Sequence, residues 1–176
     1  MGKRPLTGEP LSLDLANTRW LEEDEARDSL VTSAGTQDWL REVGLIRPEA
    51  NLDVVRKNLI QSRSIIRELL EHRADERYLR KLNAVLAKGA VLEQLSPRGS
   101  EEVYAVGDNW FASWTCARNL VHLFRTFPGR IRRCANPVCV LYFLDATKNG
   151  TRRWCSMKTC GNRAKASRHY RRVKQR

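Results

Sequence analysis

Four of the five cysteines in this 176-residue chain form two matched pairs, Cys134-x4-Cys139 and Cys155-x4-Cys160, with fifteen residues between the pairs. Two short loops that each bring two thiolates to one point meet the demand of zinc for four ligands at tetrahedral corners, each sulfur about 2.3 Å from the ion. Thiolates gathered without a cation repel one another, so the pairing argues for a metal. An iron–sulfur cluster is the competing use of four cysteines. The hairpin spacing and the lack of a redox partner motif favour one zinc ion. A shell closed by four sulfurs leaves no position for water, which makes the metal structural. Cys116 lies apart from the pairs and reads as a small buried thiol. His72 and His122 have no partner at ligand spacing, and a shell already closed does not need His169. No Ser–His–Asp or Cys–His arrangement, phosphate loop or open metal site is visible, so the expectation is a protein that is not an enzyme.

The elements that must hold these sulfurs can be read from the residues between them. Val140–Leu144 is a β-branched and aromatic run, and Thr151–Trp154 is a plausible return strand. Asn149-Gly150 between them is a strong hairpin-turn signal. After Cys160, Asn162 can cap a helix through Tyr170, which sets the second pair at a helix N-terminus, where the dipole favours thiolate.

Charge is divided sharply along the chain. Residues 1–124 carry 17 Lys+Arg against 19 Asp+Glu, whereas residues 125–176 carry 15 Lys+Arg and one acid, Asp145. The overall net charge is +12, so an anionic partner is expected, with nucleic acid the leading candidate. The candidate phosphate contacts are Arg132, Arg133, Arg152, Arg153, Lys158, Arg163, Lys165, Arg168, Arg171 and Arg172. The charge step falls near Phe127-Pro128-Gly129 and suggests two domains, 1–128 and 129–176. No apolar run is long enough to cross a bilayer. The first residues lack the apolar core of a signal peptide, which points to a reducing cytosol and away from disulfides.

Before the step, hydrophobic periodicity predicts a mostly helical body. Leu11, Leu13, Leu15 and Ala16 make a short helix, followed by the acidic stretch Glu22–Glu25. Thr36 can cap a helix around Trp39 and Leu40, which Gly44 would stop. A long amphipathic helix runs within Pro48–His72, and Asp75 starts another that ends near Gly89. One β-hairpin follows, Ala90–Leu95 with Glu101–Val106, around the turn residues Ser96–Ser100. Asp108 then caps a helix through Trp114 and Phe124, and Pro128 follows its end.

Cys160-Gly161-Asn162-Arg163, with Cys134-x4-Cys139 and Trp154-Cys155-Ser156-Met157 before it, resembles the CGNR zinc finger. Leu13-Asp14-Leu15-Ala16-Asn17-Thr18 resembles the start of the ABATE domain, which precedes this finger in proteins regarded as stress-induced transcription regulators of bacteria. The resemblance covers essentially the whole chain and selects the same four ligands, Cys134, Cys139, Cys155 and Cys160. It implies a mainly α N-terminal domain with one β-hairpin, then a small treble-clef-like α+β finger of hairpin plus C-terminal helix. It also implies DNA binding. The leading expectation is a transcription regulator whose body senses an effector or a partner, or forms a homodimer; a non-specific nucleic-acid or protein adaptor is the alternative. Asp14, Asn17 and Thr18, within two turns of one helix, are a candidate ligand pocket, or else helix-cap and hairpin hydrogen-bonding groups.

Overall fold

A computed structural model describes residues 4–22, 25–73, 75–166 and 174. The chain forms two compact units, one of Met1–Asp28 with Leu123–Arg176 and one of Ser29–His122. The second is therefore an insertion in the first along the sequence.

The unit of Ser29–His122 is built on helices α2 (Ser33–Glu42), α3 (Leu52–Glu71), α4 (Glu76–Leu86) and the larger part of α5 (Asp108–Thr126). Each start has a local cause. The Thr32 hydroxyl accepts from Gly35 N–H at 3.1 Å, so the cap of α2 is Thr32 and not Thr36. Thr36 lies inside the helix and donates its hydroxyl to the Thr32 carbonyl at 3.0 Å. Asn51 caps α3 by accepting from Asp53 and Val54 N–H, and Asp75 caps α4 by accepting from Arg77 N–H. α5 begins at Asp108 itself, with Trp110 and Phe111 N–H donating to the Gly107 carbonyl. Gly44, at φ +71°, ends the α2 turn in the left-handed region open to glycine. Trp39, Leu59, Ile66, Leu69, Trp114, Cys116, Ala117 and Leu120 are buried and form this unit's core. The expected hairpin is present as β3 (Gly89–Ser96) and β4 (Gly99–Val106), antiparallel with Leu92 opposite Val103. Gly89 is obligatory there, because a Cβ would stand 2.6 Å from that of Val106 and 3.0 Å from the Trp114 ring.

The other unit begins with α1 (Leu11–Ala16) and a second hairpin, β1 (Arg19–Glu22) and β2 (Glu25–Asp28). The sequence led to only one hairpin before the charge step. The acidic stretch hid this one, because Glu22 pairs with Glu25 at the tip where like charges face solvent. After α5, strands β5 (Ile131–Arg133) and β6 (Tyr142–Leu144) pair antiparallel, Ile131 with Leu144. Here the expected pairing is corrected. Val140–Leu144 supplies a strand, but its partner is upstream, and residues 151–153 form none. Asp145 explains the change. Its carboxylate accepts from Arg152 N–H at 3.0 Å and from Thr147 N–H at 3.1 Å, so the chain is tied down through a side chain instead of a ladder. A turn still forms there, but over Thr147–Gly150, with Gly150 N–H donating to the Thr147 carbonyl at 3.1 Å and Gly150 at φ +61°. A π-helical turn, Met157–Gly161, continues helically through 162–166. Its cap is Ser156, which accepts from Thr159 N–H at 3.3 Å, and Asn162 lies within the helix. The rest of the expected terminal helix lies outside the described residues, Lys174 aside, as does His169.

Candidate metal centre and basic surface

The two ligand pairs come from two kinds of turn. Cys134 follows β5 directly, and Cys139 closes the loop that leads to β6, with its N–H donating to the Asn136 carbonyl at 2.9 Å. Cys155 and Cys160 flank the start of the π-helical turn. All four are buried, and their sulfurs lie within 4.8 Å of one another. Cys139 Sγ is 3.8 Å from Cys155 Sγ, which is 3.6 Å from Cys160 Sγ. Sulfurs about 2.3 Å from a tetrahedral ion stand about 3.8 Å apart, so the cluster fits such an ion. N–H groups point at sulfur, among them Cys155 N–H to Cys134 and Asn136 Nδ2 to Cys160, each at 3.4 Å. Donors of this kind steady thiolate charge.

Electrostatics within the cluster point the same way. Hydrogen bonds from Cys139 and Cys155 hold the Cys134 thiol down at about 2. The hydrogen bond to Cys134 in turn pushes Cys139 up to about 12, and hydrogen bonds to Cys134 and Cys139 raise Cys155 as well. One thiolate thus suppresses the next ionisations, and a cation at the centre relieves that repulsion. The four cysteines can hold a metal ion, and zinc suits an all-sulfur tetrahedral set.

A shell of polar groups stiffens the ligand loops. Arg152 lies 4.3 Å over the Phe143 ring. Its guanidinium donates to the carbonyls of Cys155 (2.7 Å), Trp154 (3.2 Å) and Leu144 (3.3 Å), and to the Glu9 carboxylate (3.4 Å). Glu9 also accepts from Leu144 N–H at 2.8 Å. Burial raises the Glu9 carboxyl, against the lowering effect of those hydrogen bonds. Hydrogen bonds from Thr147 hold Asp145 below its usual range, and Arg132 Nε, 3.3 Å away, adds to this.

The candidate pocket residues make hydrogen bonds within the protein. Asp14, Asn17 and Thr18 are buried. Asp14 accepts from Arg4 at 2.6 Å, and Thr18 donates its hydroxyl to the Leu15 carbonyl at 2.7 Å. Asn17 donates to the Tyr142 carbonyl at 2.8 Å and accepts from Tyr142 N–H at 2.9 Å. These are internal hydrogen-bonding roles.

The cations separate into two groups. Arg152 is bound internally, and Arg132 leans on Asp145 and donates to the Gly150 carbonyl at 2.8 Å. Arg133, Arg153, Lys158, Arg163 and Lys165 are exposed. Arg168, Arg171 and Arg172 lie outside the described residues. Sequence reading missed Glu9 and Asn136, whose only signal was proximity to the motifs on either side. No helix among the described residues is long and apolar enough to cross a membrane.

Comparison with known families agrees with this architecture. A CGNR zinc finger matches residues 130–173. A domain described as "ABATE: Putative stress-induced transcription regulator" matches residues 9–126. No curated protein matches the chain. The ABATE match spans well over half of the sequence and ends where the cysteine-bearing finger begins, so the chain belongs to the ABATE family and carries a CGNR zinc finger after that domain.

Proposed function

We propose that this protein is a cytoplasmic transcription regulator that binds DNA through its finger, with one zinc ion as a structural part and the helical body as a sensing or dimerisation domain. The observation that supports it most is the placement of Lys158, Arg163 and Lys165. They are exposed on the helical segment that starts within the second ligand pair. Cations anchored to a buried metal cluster meet phosphates with little ordering cost. Arg133 and Arg153 extend the basic surface at the ligand loops, and Arg168, Arg171 and Arg172 join it on charge alone. Arg152 is left out because its guanidinium is already engaged. Catalysis has no part in the proposal, since four cysteines around one ion leave it no open position.

For sensing, the candidate is a cavity of about 160 Å³ in the Ser29–His122 unit, lined by Leu40, Leu45, Ile46, Leu52, Val55 and Ala112 among others. Uniformly flat thermal-shift results across a metabolite screen would count against an effector there. DNA binding itself is tested by competition. A promoter fragment enriched in genome-wide pull-down should be held more tightly than random duplex at matched salt. Equal affinity would favour the second reading, a non-specific nucleic-acid adaptor, and no binding to either would end both.

A further inference from the structure

The family descriptions part the chain between residues 126 and 130, yet the loops that carry the cysteines are fastened by side chains from the first twenty residues. β6 belongs to a two-stranded ribbon, and it leads directly out of the Cys139 loop. Asn17 brackets Tyr142 at the start of that strand with one donor and one acceptor, at 2.8 and 2.9 Å, and is fully buried. A side-chain amide used this way stands in for a neighbouring strand. Glu9 works on the second loop. Its carboxylate holds Leu144 N–H and the Arg152 guanidinium, and Arg152 in turn grips the carbonyls of Trp154 and Cys155. Trp20, 3% exposed, packs in one cluster with all four cysteines.

We infer that Glu9 and Asn17 are positioning residues of the metal centre, so that the site is built by segments from both sides of the inserted unit and the finger segment is incomplete without residues 9–20. The inference rests on the four-cysteine metal reading. Outer partners that orient ligand loops commonly change metal affinity by about 10- to 100-fold. Asn17 and Glu9 act on different loops, so each should loosen the ion separately.

The test uses the full chain loaded with zinc and follows release of the ion to a chromophoric chelator. Asn17→Ala and Glu9→Ala should each speed release by about tenfold or more. Glu9→Gln keeps an oxygen for Leu144 N–H but turns an NH2 toward Arg152, and should recover only part of the loss. The control is Asn58→Ala in the other unit, where the amide donates to the Asn109 carbonyl at 2.9 Å; it should weaken its own unit and leave release unchanged. Cobalt in place of zinc adds a readout that general destabilisation does not move. The tetrahedral absorption bands should shift in Glu9→Ala and stay put in Asn58→Ala. Should Asn17→Ala fail to fold, Glu9→Ala decides. Release at the native rate in Glu9→Ala and in a folded Asn17→Ala overturns the inference, as does equal acceleration in the control. A native chain without stoichiometric metal removes the reading beneath it.

Discussion

Asp145 has no side-chain surface exposed to solvent, although it is the one acid among residues 125–176. It collects Thr147, the Arg152 main chain and Arg132 at once, and so ties the Thr147–Gly150 turn back to β6. Truncation takes away the one acceptor that these part-buried hydrogen bonds share, and a network that loses its hub loses several bonds at once. Asp145→Ala should lower the melting temperature of the metal unit and hasten metal release, while Asp145→Asn, which keeps one acceptor, should do less; calorimetry with metal analysis decides. A second residue gives a pH prediction clear of the thiols. Hydrogen bonds from the Arg77 side chain and N–H lower the Asp75 carboxyl to about 2. A depressed folded value means that the stabilisation is complete above the ordinary carboxylate range and is lost as pH falls toward 2. Hydrogen exchange in α4 should therefore speed up between about pH 4 and pH 2, and Asp75→Asn should flatten that dependence.

Among the elements, the longer helices were readable from an apolar period beside a cap or a stop, as with Asp75 before α4 and Gly44 after α2. The β3–β4 hairpin was readable from its turn residues, but the strand pairing after α5 was not. Val140–Leu144 has the composition of a strand, but composition does not say which segment lies opposite, and a buried carboxylate diverted the downstream candidate. The ligand spacing of the cysteines was legible because it is local. Glu9 and Asn17 act on residues more than a hundred positions away; no local pattern marks Glu9, and the motif that marks Asn17 does not say which strand it binds. The same scale governs nucleic-acid binding. If the segment after Cys160 meets phosphates, Lys158→Ala and Arg163→Ala should each reduce the slope of log affinity against log salt by about 0.9 on duplex DNA. Arg152→Ala should instead act through metal retention, since its guanidinium is bound to three carbonyls and Glu9. Filter binding across a salt series, beside metal analysis, tells the two apart.

For the molecule as a whole, the division into a metal unit and a helical unit predicts two thermal transitions. The helical unit has its own buried core around Leu59, Ile66 and Trp114, whereas the metal unit gathers much of its apolar interior around the cysteines. Chelation should abolish or lower one transition and leave the other in place. A single transition that shifts as a block would show that the units unfold together. Leu59→Ala should act on the opposite transition, at a cost of about 2–5 kcal/mol for a buried leucine.

The bracket between Asn17 and Tyr142 spans 125 residues of sequence. On a ribosome adding about 5–20 residues each second, the N-terminal segment emerges roughly ten seconds before its partner strand exists. In that interval the helical unit can complete its own contacts, and once collapsed it shortens the distance over which the two outer segments must find each other. Birth order therefore favours a sequence of events in which the inserted unit matures first and the cysteine-bearing segment, made after it, recruits a segment made before it.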